Sequence, residues 1–94
     1  AHPRIVQIDD YRVNIVPTGV LIVMKNHDVP GVIGRVGTLL GNYKINIAEY
    51  QQARLSKGGQ ALAAVSVDGD VGESVREALL QLPEVSSAVV VRLA

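Results

Sequence analysis

The chain contains no cysteine, no tryptophan and no phenylalanine. Without thiols there is no disulfide frame, no thiolate nucleophile and no cysteine metal ligand. A reducing cytoplasm is the compartment that fits. The aromatic content is three tyrosines, too little for the stacking platform of an RNA-binding sheet. Neither sign of charge is in excess, since nine Lys+Arg balance nine Asp+Glu. No net field therefore steers the chain toward nucleic acid or an acidic membrane. No apolar run approaches the roughly 20 residues of a membrane span, and no signal peptide is visible. The first residue is Ala1 rather than Met, so a piece of a longer protein is expected. What is present is apolar: 48% of the 94 residues are hydrophobic. That suits one small domain with a core, and leaves apolar surface for a partner.

The pattern divides the chain unequally, with a hairpin and linker over 1–19 and a second unit over 20–94. "RIVQIDDYRVNIV" holds two β-branched runs around Asp9 and Asp10, a hairpin signal, and Pro17 to Gly19 then breaks the chain. "VLIVM" (20–24) is a near-continuous apolar run, as in a central strand. A helix is predicted over 30–43, with Val32, Ile33, Val36, Leu39 and Leu40 on one stripe. The stretch 45–55 is extended and more polar, which suits an edge strand, and "KGG" turns it back into a strand over 60–67. In the second helix Asp70 and Glu73 form a capping-box pattern. Val71, Val75, Ala78, Leu79 and Leu82 recur at helical spacing, Pro83 stops the run, and a last strand covers 85–93. From Val20 the order is β-α-β-β-α-β, the ferredoxin-like α+β arrangement of a four-stranded antiparallel sheet with two helices on one face.

The stretch "NHDVPGVIGRVGTLLG" (26–41) concentrates the polar groups. Pro30 suits the first helical position, because its missing N–H costs nothing there. The N–H groups of Gly31, Val32 and Ile33 are then without helical partners and carry the positive end of the helix dipole. A carboxylate can rest on them, while Asn26 and Asp28 stand ready for an ammonium. An α-amino acid carries both charges at that separation. Gly31 leaves room for close approach. Gly34, Gly37 and Gly41 share another face, at a cost of roughly 1 kcal/mol each against alanine, which implies something packed closely there. The same residues also make an ordinary helix start that binds nothing, with glycines serving helix–sheet packing.

The segment from Val20 to Leu93 resembles the ACT domain, a small-molecule regulatory module of amino-acid metabolism. The residues that carry the likeness are Asn26, Asp28, Pro30 and Gly31, then "GRVGTLLG" and "INIAEYQ". Within that family the chain is most similar to the modules that end D-3-phosphoglycerate dehydrogenases, and "PRIVQIDDYRVNIVPTG" looks like the tail of the domain before such a module. The resemblance implies an effector site of Asn26, Asp28, Pro30, Gly31, Val32 and Ile33, completed by Asn46 from a neighbouring subunit. It implies L-serine or a similar small amino acid as effector, side-by-side homo-oligomerisation, and catalytic domains elsewhere in a parent chain that uses NAD. No cofactor is expected in this domain itself. Tyr43 and Lys44 depart from the family pattern near the helix end. Lys44 in a left-handed C-cap would be strained, and His27 is expected to face solvent.

Other chemistries find less support. No nucleophile–base pair is evident for an enzyme. The loop before the first helix lacks the arginine that an acylphosphatase needs. His2 and His27 lack metal-ligand spacing, and Asp68-Gly69-Asp70 reads as a turn. Tyr11, Tyr43 and Tyr50 suit packing. Two alternatives stay open: the ACT module of an iron–sulfur L-serine dehydratase, and an assembly module without effector.

Overall fold

Two β-branched runs, a break, and then alternating strand and helix patterns fold as their order suggests. In the computed structural model, which describes residues 5–8, 11–14, 19–27, 29–54 and 59–92, eight elements form. They are β1 (Ile5–Ile8), β2 (Tyr11–Asn14), β3 (Val20–His27), α1 (Val32–Asn42), β4 (Asn46–Arg54), β5 (Gln60–Asp68), α2 (Glu73–Leu80) and β6 (Val85–Arg92). β1 and β2 pair antiparallel with Ile8 opposite Tyr11, and β2 lies against β4. The remaining strands make one sheet in the order β4-β5-β3-β6, antiparallel at every pairing. The ferredoxin-like expectation holds, with β3 central and β4 at an edge.

Alternation in β3 sends Ile22 and Met24 toward the helices and Leu21 to the other face, beside Leu62 and Ala64. β5 is buried along 61–67, as expected of a strand covered on both faces. α1 contributes Val32, Val36 and Leu40, and α2 contributes Val75 and Leu79. Each such side chain contributes about 1.5–3 kcal/mol by leaving water.

Four local expectations need correction. α1 begins at Val32 rather than Pro30, because Gly31 takes φ 90° and acts as the N-cap. A residue in that conformation cannot lie inside a right-handed helix. The apolar stripe is narrower than expected. Ile33 is 55% exposed, because each residue turns the helix by about 100° and the step from Val32 carries it off the sheet. The capping box of Asp70 and Glu73 does not form, since α2 starts at Glu73 itself with Gly72 as N-cap. Asp70 instead bonds Arg92 at 3.0 Å, and Glu73 bonds Arg76 at 2.7 Å. Val71 and Leu82 lie just outside α2 but still pack on its core.

The end of α1 behaves as its sequence warns. Lys44 is left-handed, with φ 60°. Its N–H bonds the Gly41 carbonyl and that of Ile45 bonds the Leu40 carbonyl, both at 2.9 Å. That is a Schellman closure, with Ile45 and Leu40 supplying its apolar contact.

Candidate functional site

The end of β3 is built around one buried amide. Asn26 is 1% exposed and shares the helix-facing side with Ile22 and Met24. Its Nδ2 donates to the His27 carbonyl at 3.0 Å. Among the described residues its Oδ1 meets no hydrogen-bond donor. The register against β6 slips between Lys25 and Asn26, with Ser86 of β6 as the extra, bulged residue. The His27 N–H donates to the Glu84 carbonyl at 2.8 Å, and the His27 carbonyl accepts the Val29 N–H at 2.9 Å. The His27 side chain faces solvent, as expected. Asp28, the expected ammonium partner, lies outside the described residues.

Gly31 sets the helix entry. Its carbonyl accepts the first helical bond, from the Arg35 N–H at 3.0 Å. With Gly31 as N-cap, the N–H groups without helical partners are those of Val32, Ile33 and Gly34. The expected trio is thus displaced by one residue. Arg35 locks the turn from the other side, through a 2.6 Å ion pair to Glu84.

These N–H groups open into a groove of about 420 Å³, lined by residues 29–34, Gln52 and Arg54. Of the expected site residues, Pro30, Gly31, Val32 and Ile33 line it, and Asn26, buried at the end of β3, does not. Gln52 and Arg54 were not foreseen. They reach the groove because β4 bulges between Ile47 and Glu49. Strict alternation from Ile47 would put Glu49, Gln51 and Ala53 on the helix side. The extra residue puts Tyr50, Gln52 and Arg54 there instead, opposite Val65, Ala63 and Ala61. Asn26 also pairs with Ala61, so Asn26 and Arg54 share one rung of the sheet. No sequence pattern marks that bulge.

The groove's described lining brings a basic side chain, Arg54, beside the N-terminal end of α1, whose dipole is positive there. Such a surface accepts an anion. Behind it Tyr50 packs against the core, its hydroxyl buried without a partner among the described residues. Burial holds the phenol above its ordinary pKa. No group of three metal-ligating side chains occurs among the described residues, and none of their helices is long and apolar enough to cross a membrane.

Asn46 is not near this groove in the single chain. It pairs with Asp68, its Nδ2 donating to Asp68 Oδ2 at 3.2 Å. Seven residue steps along β5 separate that rung from Ala61, about 24 Å of extended chain. The glycine face of α1 is also unfilled. Among the described residues, a Cβ at Gly34, Gly37 or Gly41 would meet nothing within 4 Å. Packing on the chain's own sheet is therefore not the reason for these glycines.

A profile of the ACT domain family matches residues 20–84. D-3-phosphoglycerate dehydrogenase from Methanocaldococcus jannaschii is 40% identical over 91 residues, 97% of this chain and 17% of that enzyme. The Bacillus subtilis enzyme of the same name is 38% identical over 90 residues, 96% of this chain and 17% of its own length. The Archaeoglobus fulgidus enzyme is 42% identical over 92 residues, again 96% of this chain and 18% of the relative. The chain thus spans about a sixth of the curated relatives it matches.

Proposed function

Because the chain belongs to the ACT domain family, we propose that it is the amino-acid-sensing regulatory module of a D-3-phosphoglycerate dehydrogenase. In this reading it carries no chemistry of its own. NAD and the catalytic residues belong to the rest of the parent chain, in the cytoplasm, and residues 1–19 end the domain before the module. The names of the relatives support the dehydrogenase over an L-serine dehydratase. The observation that carries the sensing role is the groove into which the free N–H groups at the start of α1 open.

The effector is L-serine or a close small amino acid. Its carboxylate rests on the N–H groups of Val32 to Gly34, and Asp28 takes the ammonium. Asn46 comes from a second copy. Two copies pairing antiparallel along β4 reverse the strand direction, which brings the Asn46 end of one toward the Arg54 end of the other. The open glycine face of α1 and the exposed Ile33 let that copy approach closely. A ligand held by both copies stabilises the paired state and transmits its presence to the catalytic domains.

Titration of L-serine by calorimetry tests this. A charge-assisted hydrogen bond contributes about 1.5–3 kcal/mol. Asp28→Ala is therefore expected to weaken binding roughly ten- to a hundredfold. Asn46→Ala weakens it less, because its bond is neutral on the protein side. The control is Glu77→Ala, an exposed α2 position. Asp68 would be a poor control, since it bonds Asn46. If the wild type ignores serine, glycine and alanine at millimolar concentration, the domain is an assembly module without effector.

A further inference from the structure

We infer that Arg76 guards the free edge of the sheet: by holding the outward carbonyl of Ala88, it keeps β6 from pairing with the β6 of a second copy. The inference concerns the edge opposite β4 and does not depend on the effector.

Among the described strands β6 ends the order β4-β5-β3-β6, so one of its sides carries no strand. Which of its backbone groups face that side follows from β3. The Lys25 carbonyl accepts the Ser86 hydroxyl at 3.1 Å, and the His27 N–H donates to the Glu84 carbonyl at 2.8 Å. Lys25 and His27 therefore turn their backbone groups toward β6, and Met24 turns its own toward β5. Bonded and non-bonded pairs alternate along an antiparallel ladder. Lys25–Ser87, Val23–Val89 and Leu21–Val91 are then the bonded pairs, and Met24–Ala88 and Ile22–Val90 the non-bonded ones. The N–H and C=O groups of Ala88 and Val90 point out of the sheet.

Outward groups of this kind are a template for another strand. Here the strand is also apolar, with Val89 54% exposed and Val90 and Val91 half-buried. A strand that meets its own copy about a two-fold axis is self-complementary. Arg76 closes the template. Its Nε donates to the Ala88 carbonyl at 2.9 Å, while Glu73 holds its Nη1 at 2.7 Å. Ala88 is left only 2% exposed, although it lies on an edge strand. Arg92 works beside it. Its Nη2 donates to the Val71 carbonyl at 2.8 Å and its Nε to Asp70 at 3.0 Å, which ties the loop before α2 to the end of β6. An incoming strand needs the Ala88 carbonyl as an acceptor and finds a guanidinium already on it.

Sedimentation velocity and hydrogen exchange of the Val90 N–H are followed from micromolar to millimolar concentration in this 94-residue chain. The proteins are wild type, Arg76→Met, Arg76→Ala and Arg76→Lys. Met keeps the aliphatic stem and removes the donor, Ala removes both, and Lys keeps a donor. Arg76→Met and Arg76→Ala are expected to self-associate roughly ten- to a hundredfold more tightly than wild type, because pairing no longer breaks a charge-assisted hydrogen bond. The Val90 N–H is expected to exchange more slowly as the larger species forms, since pairing gives it an acceptor. Arg76→Lys is expected to keep the wild-type mass. If Arg76→Ala does not fold, Arg76→Met, which retains the stem, decides. Donor-less variants that associate no more than wild type overturn the guard. So does association that leaves Val90 exchange unchanged, because the contact then lies elsewhere. Association of Arg76→Lys as tight as that of Arg76→Met overturns it too, because the donor is then not what bars the edge.

Discussion

At the residue scale, Gly31 and the three glycines of α1 serve opposite ends. Gly31 sits at φ 90°, and a Cβ there would lie 3.1 Å from Arg35 Nη1. Gly31→Ala is therefore expected to destabilise by roughly 1–2 kcal/mol, seen as a lowered denaturation midpoint. Gly37 has open space around it among the described residues. Gly37→Ala is expected to stabilise an isolated copy by roughly 0.5–1 kcal/mol, and to weaken association if the glycine face meets a second copy. A variant that gains stability and associates as tightly as wild type would show that the face is idle. Asp70 offers a titration test. The Arg92 hydrogen bond, then the Val71 backbone bond and the Arg92 charge, lower its pKa from the ordinary value of 3.8. A carboxyl depressed in the folded state favours folding above its unfolded pKa, and that contribution disappears as the pH falls through the folded value. Arg92→Met is therefore expected to raise the Asp70 pKa measured by NMR. It should also flatten the acid side of the stability profile below about pH 4. An unchanged Asp70 titration would remove Arg92 as the cause.

At the element scale, the helix ends and the β4 bulge decide where the site lies. α1 closes with Lys44 in a left-handed conformation that costs an L-residue roughly 1–2 kcal/mol. Lys44→Gly is expected to stabilise by about 1 kcal/mol, because the Schellman bonds at Gly41 and Leu40 use backbone alone. Denaturant unfolding with an unchanged m-value checks it. At the opposite edge of the sheet, Arg76 of α2 ties down β6. Its Nε donates to the Ala88 carbonyl at 2.9 Å, and its Nη1 to Glu73 at 2.7 Å. The exposed ion pair with Glu73 contributes little. The bond to Ala88 covers part of an edge strand that exposes Val89. Arg76→Ala is expected to cost about 1–2 kcal/mol, and Glu73→Ala well under 1 kcal/mol. Equal losses would mean that the edge carbonyl is not the important partner.

At the scale of the whole molecule, the proposed effector site is half-built in one copy. The groove holds residues 29–34, Gln52 and Arg54, while Asn46 stands at the opposite end of the sheet. A second copy laid along β4 resolves that separation. Sedimentation at micromolar concentration is expected to give twice the chain mass. Ile33→Glu, which places a charge on the exposed apolar side of α1, is expected to shift the equilibrium to monomer without unfolding the domain. A clean wild-type monomer, with serine and without it, would remove the two-copy site.

Sequence alone determined the strand and helix order, because β-branched alternation and a 3.6-residue apolar period are local properties. The run 20–24 had to be central, and the polar stretch after Asn46 had to lie at an edge. The segment 26–34 was likewise legible as a helix start rich in free donors. Tertiary structure decided the rest. Whether Asp70 caps α2 depended on Arg92 arriving from β6, a partner 22 residues away. Whether Ile33 faces the core depended on where Gly31 lets α1 begin. Gln52 and Arg54 joined the groove because one extra residue in β4 reversed its alternation against β5, and a bulge is set by pairing between strands. The same pairing fixed Asn46 beside Asp68, far from Asn26, since an antiparallel sheet separates the two ends of every strand by its whole length.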